Sequence, residues 1–196
     1  TYGEIAFAPN SRYGVELDRK QFNKKIVLTE NTFDTSGDLT GINVFYEHPP
    51  SNIPDGLYHI VLDPVRNKGE GSSLNSMIVH KGILTNNPSN FEDTIVAERH
   101  WRDSDLEVSY MKVIKMAMYY NAKIFPERNV IGFNDWCETN GYTHLLVNEP
   151  QTTLRSLSFT PKPLLHGFDM QNDKLKNWAL SKLNSYIVSV LKSSLI

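Results

Sequence analysis

The chain reads as an α/β protein built on a mixed sheet, and three observations predict this. Short strand-like runs at about 58–63, 74–81 and 93–101 follow one another with short connections, which suits an antiparallel meander. Beyond residue 104 the apolar period turns helical, and helical segments then alternate with single strand-like runs. The length of 196 residues, with 40% hydrophobic and 21% charged residues, is enough to bury a sizeable core.

Residues 1–56 are polar and turn-rich, with short alternating runs at Ile5–Phe7, Lys25–Leu28 and Ile42–Tyr46. Turn signals at Asp34–Gly37 and Pro49–Asn52 separate them, so this part reads as a small β-rich lead-in. Residues 57–196 read as the main domain. It opens with Tyr58–Asp63, where Ile60, Val61 and Leu62 end on an acid before Pro64. An apolar run of this length bounded by turn residues is a buried strand. A polar, glycine-bearing loop (67–73) follows, and Leu74–His80 returns as the second strand.

Ser104 and Glu107 have the spacing of a capping box, with Ser104 as N-cap. The helix they open, 105–120, carries Leu106, Tyr110, Val113, Ile114, Ala117 and Met118 at helical spacing. Met111, Met116 and Met118 are assigned to core packing. Asn121 stops the helix, and Lys123–Phe125 begins a fourth strand that ends at Pro126 and Glu127. A short helix at 130–139 closes on Asn140-Gly141 and leads to a fifth strand, Thr143–Val147, that ends near Glu149. After a looser stretch with Pro161 and Pro163, a final helix starts at about Asn172. Its predicted apolar face is Leu175, Ala179, Leu183, Tyr186, Ile187, Val190 and Leu191. The order is three strands, helix, strand, helix, strand, helix. Such an order makes a ribonuclease H-like five-stranded sheet, three strands antiparallel and the later ones parallel, flanked by helices.

That order has a consequence for two acids. Asp63 and Glu127 both end strands, and these strands are expected to lie side by side in parallel. Carboxylates brought that close repel unless a divalent cation sits between them. Oxygen ligands with open positions suit Mg²⁺ or Mn²⁺. Two such ions about 3.5–4 Å apart activate a water and stabilise the leaving oxygen in phosphodiester cleavage.

Other classes are disfavoured. A net charge of −2 gives no global basic signature, so any nucleic-acid contact must be local. Arg66 and Lys68 in the loop after Asp63, with Arg99, Arg102 and Arg128 near strand ends, are the candidate phosphate contacts. Glu98 and Glu149 read as solvated strand-end charge, and Trp101 and Trp136 as core or rim aromatics. The six histidines (48, 59, 80, 100, 144 and 166) are scattered, without an H-E-x-x-H motif or a cysteine partner set, which argues against a zinc site. No G-x-S-x-G marks a serine nucleophile. The single Cys137 excludes an internal disulfide and suits a reducing compartment. No apolar run approaches the length that spans a bilayer, and the N-terminus lacks the pattern of a signal peptide. The start at Thr1 and the stop at Ile196 within a helical pattern read as the ends of an excised piece of a longer polypeptide.

Four stretches, Val44–Pro49, Tyr58–Pro64 with its glycine- and serine-bearing hairpin, Met118–Asn129 and His166–Asn172, bring a family into view. In their order, residues 42–177 resemble the nuclease domain of the large terminase subunit of tailed bacteriophages and related elements. The resemblance implies a metal-dependent endonuclease that cuts concatemeric double-stranded viral DNA during packaging, with Asp63 and Glu127 as catalytic metal ligands for two Mg²⁺ or Mn²⁺ ions. It implies a companion ATPase domain, a portal and a small terminase subunit as partners, no membrane, and the cytoplasm of an infected bacterial host as location. The family uses a third acid on a late helix. Asp169 and Asp173 are the only late aspartates, and each fits the glycine-bearing stretch better than a catalytic helix. No G-x-x-x-x-G-K-S/T loop is present, so the ATPase is absent from this chain. The alternatives are a Holliday-junction resolvase-like nuclease and a non-catalytic module that docks DNA or the portal.

Overall fold

Seven strands join one sheet in the order β2-β1-β3-β6-β5-β4-β7. They are β1 (Tyr2–Phe7), β2 (Ile26–Glu30), β3 (Asn43–Phe45), β4 (Tyr58–Asp63), β5 (Asn75–Lys81), β6 (Thr94–Trp101) and β7 (Lys123–Pro126). Among the described residues three α-helices accompany them: α1 (Leu106–Tyr120), α2 (Phe133–Asn140) and α3 (Asp173–Ser193). This is a computed structural model, and it describes residues 2–7, 26–30, 41, 43–65, 74–82, 94–103, 105–128, 132–149, 154, 157, 165–171 and 173–193. The core of the sheet is the five-stranded run β3-β6-β5-β4-β7, in which only β4 and β7 are parallel. It is a ribonuclease H-like mixed sheet, with β1 and β2 continuing it beyond β3.

The membership of the five differs from expectation. Thr143–Leu145 is a single turn of 3-10 helix, and only Leu146 pairs in parallel, with Ile124. Gly141, at φ 69, ends α2 so tightly that residues 143–145 are still turning. Residues 148 and 149 then leave to pair with 165 and 166, so the expected fifth strand is reduced to one bridge beside β7. The place it was expected to fill in the five is taken by β3 at the other side of the sheet.

One face of the sheet is the core. Tyr58, Ile60 and Leu62 of β4 and Met77 and Val79 of β5 point into it, and α1 covers them with Tyr110, Val113, Ile114, Met116, Ala117 and Tyr120. These helix positions recur at three and four residues, the stripe a helix must bury to be stable beside a sheet. Met116 is fully buried and Met111 and Met118 pack against the core, so the methionines are structural. The N-cap of α1 is Asp105, whose carboxylate accepts from the Glu107 amide at 2.8 Å; the expected cap, Ser104, lies outside the described residues. Asn121 ends the helix in the left-handed region (φ 48), as its short polar side chain permits.

α2 packs on the same side through Phe133 and Trp136, both in ring contact with Tyr110. Its Cys137 is buried, and burial pushes the thiol up to about 12. Thiolate is the reactive form. The native chain is therefore expected to resist iodoacetamide at pH 8 and to take one label per chain after denaturation, as mass spectrometry would read. Labelling of the native chain at the denatured rate would contradict this placement.

Buried polar groups knit the sheet to α1. Asn75 donates to the Trp101 carbonyl and to Ser109 Oγ, which also accepts from Trp101 Nε1 at 2.6 Å. On the opposite face the strands carry His59, Val61 and Asp63 (β4) beside Ser76, Ile78 and His80 (β5), half-buried or exposed. Burial, and then the neighbouring His80, hold the His59 imidazole below its ordinary range.

Candidate active site

Asp63 is the last residue of β4, and the backbone around it is fixed on three sides. Antiparallel pairing sets it opposite Ser76. Parallel pairing sets Leu62 opposite Pro126, and the Glu127 amide donates to the Leu62 carbonyl at 2.8 Å. Just after it, the Val65 amide donates to Asn75 Oδ1 at 2.8 Å, which pins the backbone past Pro64 to the start of β5. Asp63 and Glu127 therefore end adjoining parallel strands at the same edge of the sheet. They also share a face. Ile60, Leu62, Ile124 and Pro126 are buried, while Val61, Asp63, Phe125 and Glu127 alternate to the other side.

The outer edge of β7 is closed by two short pieces of chain. The Val147 amide donates to the Ile124 carbonyl, and further along the Phe168 amide donates to the Pro126 carbonyl, both at 2.9 Å. The Arg128 amide returns a bond to the Phe168 carbonyl at 2.6 Å, and Phe168 bridges Glu127 in parallel. The Phe168 ring lies on Phe125 with centroids 4.7 Å apart. Gly167 makes this approach possible. Its φ is +76, and a Cβ there would stand 2.1 Å from the Pro126 carbonyl oxygen.

Arg128, expected on the DNA-contacting surface, is paired instead. Its Nη2 donates to Glu149 Oε1 at 3.1 Å, and the Glu149 side chain is 6% exposed. Glu149, read from sequence as solvated, is thus a buried partner that also donates its amide to the Leu165 carbonyl. Arg99 is corrected more sharply. It is 1% exposed, lies on the core face of β6, and gives Nη2 to the Gly41 carbonyl and Nη1 to Asn43 Oδ1, so a phosphate does not reach it. The cause is the bulge in β6 where Val79 faces Ala97 but His80 faces Ile95. Arg102 is half-buried, and Arg66 and Lys68 lie outside the described residues. Glu98 accepts from the Tyr46 hydroxyl at 2.6 Å. Trp101 is core, and Trp136 stacks on Tyr142 at the rim.

The donor chemistry suits a hard cation. Asp63 is exposed and Glu127 half-buried, and two carboxylates bring only oxygen ligands, which favours Mg²⁺ or Mn²⁺ over a soft metal. Among the described residues no group of three or more His, Cys, Asp or Glu side chains converges to hold a metal. Asp169 and Asp173, the late aspartates that fit the family's third acid poorly, form no such group with the pair. Asp169 accepts from the Gln171 amide at 3.0 Å in a local turn, one residue after Phe168, and Asp173 is exposed in the first turn of α3. The Arg128–Glu149 pair and the Asn75 bond to Val65 went unread in the sequence, because each depends on chain segments brought together only by folding. No described helix is long and apolar enough to cross a membrane. Comparison of the chain with models of protein families, with curated proteins and with solved structures finds no match.

Proposed function

We propose that this chain is the nuclease domain of a large terminase subunit, a divalent-metal-dependent endonuclease that cuts concatemeric viral DNA during genome packaging. The observation that carries the reading is the shared edge and shared face of Asp63 and Glu127 on parallel strands. The four stretches that resemble the family add to it.

In this reading Asp63 and Glu127 would be the residues that hold the divalent metal. When bound, Mg²⁺ or Mn²⁺ supplies the Lewis acidity that polarises the scissile phosphodiester and eases deprotonation of the attacking water. The chain's own contribution is placement. The β4–β5 ladder and Asn75 hold the backbone at Asp63, and the β4–β7 ladder with Phe168 holds it at Glu127. No covalent link between DNA and enzyme is part of the mechanism. In the whole protein an ATPase domain, the portal and a small subunit are the partners, in the cytoplasm of an infected bacterium.

The test is a plasmid assay. Supercoiled DNA is expected to be nicked or linearised with Mn²⁺, more weakly with Mg²⁺, and not in EDTA. Loss of an outer-shell partner alone costs a metal site about 10–100-fold, so Asp63→Asn is expected to lose at least about 10²-fold in rate. Retained cleavage in an Asp63→Asn chain with an unchanged circular dichroism spectrum would remove Asp63 from the mechanism. A strong preference for branched over linear duplex would favour the resolvase-like alternative. DNA binding without cutting in any metal would favour the docking module.

A further inference from the structure

The histidines that look scattered in the sequence are not all scattered in the fold. His59 of β4 and His80 of β5 are direct cross-strand partners in the antiparallel ladder. Paired residues of this kind have Cβ atoms about 4.5–5.5 Å apart and project to the same side of the sheet. That side is the open face. Val61 and Ile95, which border the pair along β4 and across β6, are 54% and 39% exposed. Both residues are half-buried.

Two features beside the pair bear on its chemistry. Opposite His80 the ladder between β5 and β6 slips, with Val79 facing Ala97 but His80 facing Ile95. A bulge of this kind re-aims side chains and is common next to functional positions. On the other side, Lys123 is the register partner of His59, but its Nζ donates to the His144 carbonyl at 2.9 Å, which holds the ammonium toward the sheet edge. Asp63 lies further along β4 and Glu98 further along β6, each on the same face.

We propose that His59 and His80 form a two-imidazole site for a borderline transition ion such as Zn²⁺ or Ni²⁺, separate from the carboxylates at Asp63 and Glu127. Imidazole nitrogens bind such ions at about 2.0–2.1 Å, and a pair fixed across a ladder meets that geometry without ordering either backbone. The remaining positions go to water, since no third ligating side chain converges there among the described residues. Ion binding at this place fastens β4 to β5, the antiparallel strands whose pairing also positions Asp63. The inference does not depend on the nuclease reading.

The test uses the full chain carrying Asp63→Asn, so that the carboxylate centre does not compete. Calorimetric titration with ZnCl₂ is expected to give one ion per chain. Adding His59→Gln or His80→Gln is each expected to weaken binding by at least about tenfold. His100→Gln, an exposed histidine of β6 outside the pair, is expected to leave it unchanged. Equal affinity in either pair variant, or loss with His100→Gln, would overturn the site. In case a pair variant misfolds, Ni²⁺ added to the unmodified chain supplies a second reading by NMR. Selective broadening of the His59 and His80 ring signals is expected, and broadening of the other histidines first would refute it.

Discussion

Replacing Arg128 by methionine is expected to destabilise the chain by about 3 kcal/mol, the lower end of what breaking a buried ion pair costs. The lower end applies because the Arg128 side chain is 22% exposed, whereas its partner Glu149 is only 6% exposed. What the change removes is the Arg128 guanidinium beside a carboxylate held inside the protein, and the weakened compensation of that buried charge dominates the cost. Thermal unfolding is the measurement, and a fall of about 6–12 °C is expected for a chain of this length. Adding Glu149→Gln to Arg128→Met is expected to restore part of the loss, because the buried charge goes too. A double variant as unstable as the sum of the singles would mean that the two side chains do not act as a pair.

Gly167→Val is expected to cost more, about 4 kcal/mol or above, which places it among exceptional single substitutions. Two causes coincide. A β-branched residue at φ +76 is strained wherever it occurs, and here the new Cβ would meet the Pro126 carbonyl oxygen at 2.1 Å and Pro126 Cγ at 2.9 Å. Backbone cannot yield as the tip of a side chain can. The segment 165–168 must then leave the outer edge of β7, giving up the bonds between Phe168 and Pro126 and between Arg128 and Phe168. Hydrogen exchange would show faster amides at Arg128 and Phe168, even if the rest of the sheet held. Protection there equal to that of the unchanged chain would contradict the account of this edge.

What the sequence announces well are the elements whose own residues decide them. β4, β5 and β7 are apolar runs closed by turn residues, and α1 carries an apolar stripe bounded by Asp105 and Asn121. The strand-end positions of Asp63 and Glu127 follow from those limits, since each run stops at an acid beside a proline. What escapes are features fixed by distant partners. Read by simple alternation, β6 gives no reason to bury Arg99. The slip at Val96 and Ala97 buries both of those residues and then turns Arg99 and Trp101 inward and Glu98 and His100 outward. One extra residue exchanges the faces of everything beyond it. Thr143–Val147 is too short for its period to separate strand from turn, and the tight end of α2 decides it. On α3 the stripe is visible in sequence, but among its described side chains only Leu175 is buried, while Leu183 and Ile187 remain exposed at 52% and 45%. Amphipathic spacing says which side of a helix wants a partner, not whether the fold supplies one. The pairing of His59 with His80 is likewise a matter of register, invisible as spacing along the chain.

The most direct measurement is a Mn²⁺ titration followed by electron paramagnetic resonance on four chains: unchanged, Asp63→Asn, Glu127→Gln and both together. If the two carboxylates hold a common ion, each single change weakens binding by at least about tenfold and the double change adds little beyond the worse single one. Losses that simply add, or Mn²⁺ affinity untouched by either change in a folded chain, would show that Asp63 and Glu127 do not share a metal.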